Sequence, residues 1–522
     1  VQRAQAAEVR AFAALPTRWL YAAAFVAQLL VFLPLSALRL IDGDEGYYAL
    51  GARLAVEGQV PYEDFFYLQM PLLPYVYGAW TEVFGESWYA VRSLSAMLAA
   101  ALGVLVLRHA LRRFGDRRLA VAALLLYASS ALVLSWFTVA KTYALATLLL
   151  FGAYTLLDRE DGSPTRAQWL AAGALAGLAV DVRLLFAAAV PVLAVYALAG
   201  ARRLAERVKD LAALAGGLAL GLVPSFVLFA LGPDRFVFAN VGLPAVRSDG
   251  GLIGGLRQKL DVAGQLIGVD TFEVADARIT AGAAGAQLLL LGLAAAVALA
   301  AVWLPRRRVP LAFALAVAMA LASIAPSPTY VQYFCTVVPF LVLAALELPA
   351  AVAARLSGGD DGLRLILRRA AAVVLAVYVA VAAVDVYLAT DGGYAAAERR
   401  LGTVADVTRI VDANTEPGER VLSFWPGHLF GSHAEPIPGF ENDSAPLAAE
   451  KAELSPQEAA ERRLATADEI ERLLRERRVR IVVHGPVLGQ SRERDWGAII
   501  AESGYQPLGR VGTTTVYEAP NR

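Results

Sequence analysis

The sequence predicts a mainly α-helical, polytopic membrane protein, a bundle of transmembrane helices followed by a small soluble α/β domain. Three observations carry that expectation. The chain has 522 residues, of which 58% are hydrophobic and 18% charged, against about 25% charged in an ordinary soluble protein. Charge is segregated: before residue 391 long apolar runs alternate with narrow basic seams, and after it the composition is that of a soluble domain. Finally, eleven apolar runs approach the ~20 residues that a membrane-crossing helix needs.

The runs lie at 19–38, 88–107, 119–136, 138–157, 168–182, 184–200, 211–231, 284–304, 309–325, 329–349 and 370–389. Trp19–Leu38 lacks a small-residue cleavage site and is expected to be a retained helix. Basic seams at Arg108–Arg118, Arg202–Lys209, Arg306–Arg308 and Arg355–Arg369 mark cytoplasmic loops. With the N-terminus inside and eleven spans, all of them fall on that side. The expected arrangement is a catalytic membrane domain, 1–390, with outer loops 39–87 and 232–283, then an extracytoplasmic domain, 391–522. The localisation implied is a multi-pass plasma-membrane protein.

Within the first outer loop, Glu45–Glu57 reads as an amphipathic helix stopped at Gly58. Val60–Pro74 is rich in aromatics and proline, which places this loop on the outer bilayer surface. Leu256–Ile267 reads as an interfacial helix in the second outer loop. Beyond residue 391, helices are expected at Ala396–Ala413, Ser455–Arg477 and Asp495–Ser503, the second opened by a Ser455/Glu458 capping box. Strands are expected at Arg420–Trp425, Arg478–His484 and Val511–Glu518.

Composition also narrows function. The 47 basic residues balance the 47 acidic ones, which gives a nucleic-acid partner no support. Cys335 is the single cysteine and sits in an apolar run, so no disulfide within the chain is possible. No P-loop, dinucleotide fingerprint, zinc spacing or nucleophile elbow occurs, and His109, His428, His433 and His484 show no metal-ligand pairing. No cofactor is predicted, and a divalent cation is left open.

Chemistry concentrates where the first span ends, at Ile41-Asp42-Gly43-Asp44-Glu45. Asp44 is placed to cap the helix beginning at Glu45; the alternative is that one of these carboxylates is a general base for an acceptor hydroxyl. Lys141 and Arg183 stand at span ends on the same expected side. Asp181 is positioned to pair with Arg183, but together the two cations suit an anionic lipid headgroup. Gln332 and Tyr333 open a later span on that side, either as interfacial residues or as part of a lipid-phosphate site.

Taken in order, these features resemble the GT-C fold glycosyltransferases that use polyprenyl-phosphate sugars, in particular the bacterial relatives of protein O-mannosyltransferases and the lipid A aminoarabinose transferase. The resemblance covers about residues 19–390. It rests on Asp44-Glu45-x-x-Tyr48, Gly58-Gln-Val-Pro61-Tyr62-Glu-Asp64-Phe65-Phe66, Pro71-Leu72, Lys141-x-Tyr143, Arg183 and Gln332-Tyr333. It implies Asp44 as general base assisted by Glu45, and a donor phosphate held by Lys141, Arg183, Gln332 and Tyr333. It also implies substrate contacts from Tyr48, Tyr62, Asp64 and Gln69. Three departures stand out. Gln69-Met70 precede Pro71 where a lysine is common, Lys141 replaces a common arginine, and Gln332 stands where a basic residue often precedes the tyrosine.

The reaction implied is an inverting transfer from a polyprenyl-phosphate-linked sugar to a glycan, lipid or protein acceptor, with the bilayer as the other partner. Two rival classes are a lipid-linked sugar flippase or other transporter and a non-catalytic envelope assembly protein. A transporter calls for midplane polar residues and inverted repeats, and the sequence displays neither. An assembly protein would tolerate loss of Asp44.

Overall fold

Backbone polar groups in hydrocarbon must be bonded within the chain, which leaves an apolar run little choice but helix. Helix occupies most of each of the eleven runs in the computed structural model, which describes residues 16–159, 162–199, 203–246, 251–266, 272–274, 277–279, 281–306, 308–356, 361–390, 399–485 and 494–520. The first half of the bundle consists of α1 (Thr17–Leu38), α4 (Trp88–Phe114), the broken pair α5 (Arg117–Ala128) and α6 (Ala131–Trp136), α7 (Thr142–Leu157) and α8 (Arg166–Val182). Two short helices, α2 (Glu45–Val56) and α3 (Leu72–Phe84), lie in the 39–87 loop. The bundle continues with α9 (Leu184–Ala199), α10 (Leu204–Gly221) and α11 (Val223–Leu231). After α12 (Gly251–Leu266) come α13 (Ala284–Arg306), α14 (Leu311–Ile324), α15 (Val331–Arg355) and α16 (Gly362–Ala383).

Five of these helices, α1, α4, α13, α15 and α16, are long and apolar enough to cross a membrane unaided. The pair α10–α11 adds a sixth if taken as one span bent by 53°. Pro224 opens α11, and proline cannot continue the hydrogen-bond ladder of the helix before it. Helices α8 and α10 approach backbone to backbone through Gly173, Gly177, Gly217 and Gly221. A Cβ on Gly217 would lie 1.9 Å from the Leu170 carbonyl oxygen. Small residues spaced by four permit such contact in lipid, where dispersion replaces hydrophobic drive. Leu30, Leu220, Phe226, Leu293 and Val373 are exposed around the bundle. That belt would be an aggregation hazard in water; here it is the lipid-facing surface of a multi-pass membrane protein.

Helix α2 ends before Gly58, whose φ is +89°. It is not amphipathic: residues 45–54 are all buried. Tyr62, Phe65, Phe66 and Tyr67 are likewise buried in protein, which corrects the expectation of an interfacial aromatic belt. The reason is that the soluble domain packs onto this loop. Arg53 Nη1 donates to the carbonyls of Leu429 (2.9 Å), Ser432 (2.7 Å) and Ala434 (3.0 Å). Arg463 Nε donates to the Glu63 carbonyl at 2.7 Å.

The soluble domain carries a five-stranded mixed sheet. Besides a short hairpin, β1 (Phe272–Val274) and β2 (Ala277–Ile279), the strands are β3 (Arg420–Ser423), β4 (Glu435–Pro436), β5 (Ile481–His484), β6 (Gln506–Val511) and β7 (Thr514–Glu518). Their order is β4-β3-β5-β7-β6. β3 is parallel to β4 and β5, and β7 is antiparallel both to β5, with Val483 opposite Val516, and to β6. Strands β4 and β6 escape the sequence reading because they lack a run of alternating apolar residues. The helix expected over 455–477 is two, Pro456–Glu461 and Ala467–Arg475. The Ser455 capping box is present. The helix expected to begin at Ala396 is described as Leu401–Ala413; residues 396–398, like Ile267 of the second loop, lie outside the described residues.

Candidate active site

Three basic side chains, Arg92, Lys141 and Arg183, organise the end of the bundle beneath the soluble domain. Arg92, in the first turns of α4, is fully buried and forms a bidentate pair with Glu45: Nη2 to Oε1 at 2.6 Å and Nε to Oε2 at 2.8 Å. Its remaining N–H groups donate to the carbonyls of Ser36, Arg39 and Leu40, which ties the end of α1 to α4. Glu45 also accepts from the backbone N–H of Asp42 (2.8 Å) and Ala140 (2.9 Å). Burial by itself would raise the carboxyl's pKa, but the charge and hydrogen bonds of Arg92 outweigh it and hold Glu45 below the usual carboxylate range. The Glu45 carboxylate is thus saturated by protein donors.

Asp42 and Asp44 face Lys141 instead. Lys141 Nζ lies 2.6 Å from Asp42 Oδ1 and 3.0 Å from Asp44 Oδ2. The two carboxylates thus neutralise a lysine that is itself buried. Asp44 is the N-terminal neighbour of α2, yet its side chain makes no cap bond, so the capping alternative is not what its carboxylate does. The side chain of Asp44 is 50% exposed, whereas that of Asp42 is 9% exposed. Only Asp44 is reachable from solvent.

Arg183 follows α8 and is buried. Nη1 donates to Thr142 Oγ1 at 3.0 Å, and its guanidinium lies 4.8 Å from the Tyr143 ring centre and 4.9 Å from that of Tyr333. It does not pair with Asp181, whose Oδ1 accepts from Ser225 Oγ. Stacking on aromatic faces leaves guanidinium edges able to bond an anion. Tyr48 packs against Tyr47 with ring centres 4.2 Å apart and the planes tilted by 40°, and it lies within electrostatic reach of Arg183 and Lys141. Gln332 is buried next to Tyr333, and its Oε1 has no donor among the described residues.

Asp44, Glu45, Tyr48, Lys141, Arg183, Gln332 and Tyr333 therefore share one end of the bundle. The other candidates shape the loop. Asp64 Oδ2 accepts from the Val60 N–H at 2.7 Å. The Tyr62 hydroxyl donates to the Gln69 carbonyl and accepts from Asn240 Nδ2 at 3.3 Å. Tyr62 is held at φ +68°, a costly conformation for a non-glycine residue that concentrates at functional sites.

Sequence reasoning missed Arg92, Arg53 and Trp425. Trp425, from the soluble domain, stacks on Trp88 at 5.8 Å and donates its indole N–H to the Gly43 carbonyl at 2.8 Å. It packs so tightly that a Cβ on Gly46 would fall 2.7 Å from the indole nitrogen. The acidic loop is thereby gripped from both sides. A cationic residue inside an otherwise apolar span, as Arg92 is, was the one signal available. Among the described residues no group of three or more His, Cys, Asp or Glu is arranged to hold a metal. His428 is buried, which pushes its pKa down to about 3 and keeps it neutral.

This arrangement defines a multi-pass membrane protein with the GT-C glycosyltransferase fold, its acid cluster where α1 meets α2. Residues 69–226 match the dolichyl-phosphate-mannose-protein mannosyltransferase family. The chain is similar to the crystal structure of ArnT from Cupriavidus metallidurans bound to undecaprenyl phosphate, at 17% identity and a TM-score of 0.65. The apo structure of the same enzyme gives a TM-score of 0.64, also at 17% identity. Each match covers 97% of this chain and 100% of the other. No curated protein sequence matches the chain.

Proposed function

We propose that the protein transfers a sugar from a polyprenyl-phosphate donor to an acceptor hydroxyl at the outer membrane face, with inversion at the anomeric carbon. The observation carrying this reading is the half-exposed Asp44 carboxylate 3.0 Å from a buried lysine, with a second buried cation, Arg183, at the same end of the bundle. The undecaprenyl phosphate in the similar ArnT structure supports a donor of this class.

In the proposed reaction Asp44 accepts the acceptor's hydroxyl proton as the oxygen attacks the anomeric carbon. The bond from that carbon to the phosphate oxygen breaks, and polyprenyl phosphate departs with the electron pair. Lys141 and Arg183 hold the phosphate and offset the charge growing on it. Asp42 and Glu45 keep Lys141 and the loop in register. Inversion follows from a single displacement, and of Asp42, Asp44 and Glu45 it is Asp44 that is exposed enough to meet an acceptor.

The test is purified protein in proteoliposomes, given a panel of polyprenyl-phosphate sugars and candidate acceptors. Mass spectrometry should find an acceptor heavier by one sugar together with free polyprenyl phosphate, both lost in Asp44→Asn. Absence of transfer from every polyprenyl-phosphate donor would overturn the donor assignment.

A further inference from the structure

A cavity of about 910 Å³ lies at the other end of the bundle. Three helices run between it and the acid cluster. α7 starts beside Lys141 and ends beside Asp158; α8 carries Trp169 in its first turn and ends beside Arg183; α4 holds Arg92 near its start and Arg113 in its last turn. The 16 residues of α7 put about 24 Å between the two sites at the standard helical rise. The cavity is therefore separate from the site described above.

Its walls carry Arg113, Arg159, Arg207 and Arg308 against Asp158, Asp210 and Glu347. The carboxylates Glu347 and Asp158 are engaged by protein groups. Glu347 Oε1 accepts from Arg113 Nε at 2.9 Å, and Asp158 Oδ2 accepts from the Tyr154 hydroxyl at 2.8 Å and lies 3.0 Å from His109 Nε2. Donors are left over. Arg159 Nε and the indole nitrogens of Trp169 and Trp303 are buried without an acceptor among the described residues. Buried donors in native structures nearly always find an acceptor, so three around one cavity point to a ligand rich in oxygen. Val195 and Val309, also on the lining, are 64% and 54% exposed. Apolar side chains exposed on a membrane bundle face acyl chains. The opening is thus built for a molecule with an anionic head and an apolar tail.

We propose that this cavity binds the phosphate headgroup of an anionic phospholipid in the leaflet opposite the acid cluster. Arginine and indole N–H groups bond the phosphodiester oxygens, and the acyl chains leave past Val195 and Val309. The site is independent of the transferase reading.

Native mass spectrometry of delipidated full-length protein tests it, with phosphatidylglycerol and phosphatidylcholine of the same acyl chains as probes. Phosphatidylglycerol should be retained in preference. The Arg159→Ala/Arg308→Ala double variant should lose on the order of tenfold in its affinity. Trp169→Phe removes a donor that has no acceptor among the described residues, so its melting temperature should hold while affinity for phosphatidylglycerol falls roughly two- to tenfold. That variant decides the matter if the double variant unfolds. Equal retention of the two lipids, or wild-type affinity in folded variants, would overturn the proposal. Displacement of phosphatidylglycerol by millimolar inorganic phosphate would identify a soluble anion as the ligand and overturn the lipid assignment.

Discussion

Asp44→Asn separates chemistry from architecture at this site. The Asp44 side chain is 50% exposed, makes no cap bond to α2 and pairs with Lys141 at 3.0 Å. Removing its charge costs a partly solvated ion pair, about 1 kcal/mol or less, so the melting temperature should barely move. Turnover should fall by a factor on the order of 10²–10⁴, the usual contribution of a general base. The control is Glu45→Gln. That change breaks a buried bidentate pair with Arg92 at 2.6 Å, a loss of about 3–5 kcal/mol out of a total stability of roughly 5–15 kcal/mol. Its activity should fall together with its melting temperature. The assay is the initial rate of polyprenyl phosphate release in proteoliposomes, read beside thermal unfolding of the same preparations. If Asp44→Asn transfers at a near-normal rate while Asp42→Asn is inactive and equally stable, the base is Asp42. If both variants remain active, the carboxylates are structural and the displacement mechanism is wrong.

Arg183→Ala should weaken donor binding roughly ten- to a hundredfold, the worth of a hydrogen bond to a charged group, as measured by donor titration; Asp181→Asn should not, because Asp181 bonds Ser225. Arg53→Ala removes three bonds to the soluble domain and should raise proteolysis near residue 430 without dissolving the bundle. Burial raises the Glu441 carboxyl to about 7, above its unfolded value. Its contribution to stability is therefore fully present below about pH 4.5 and lost as pH rises through about 7. Glu441→Gln should flatten that decline and stabilise the protein at pH 8 by on the order of 3 kcal/mol, seen as a higher melting temperature than wild type at pH 8 only. Cysteines introduced at residues 112 and 450 should label from opposite sides of the membrane; labelling from one side would remove the compartment shared by the soluble domain and the acid cluster.

The sequence by itself determined the class of architecture. Twenty apolar residues in lipid have only helix available, so every run from Trp19–Leu38 onward was legible, as was the change of composition near residue 391. The candidate residues were legible too, because a carboxylate or a lone cation beside an apolar run is costly enough to need a reason. Which partner each candidate meets was decided by tertiary structure. Local spacing left Asp44 open between helix cap and general base, with Glu45 as its neighbour. The fold instead brings Arg92, 47 positions away, onto Glu45 and leaves Asp44 open beside Lys141. The same holds for the 39–87 loop, whose aromatics look interfacial until the soluble domain lies over them. Trp425 and Arg53 act across more than 370 residues of chain, and nothing in the local pattern around either announces its partner. Periodicity and hydropathy report the environment a segment needs. The pairing of charges depends on distances that only packing between segments creates.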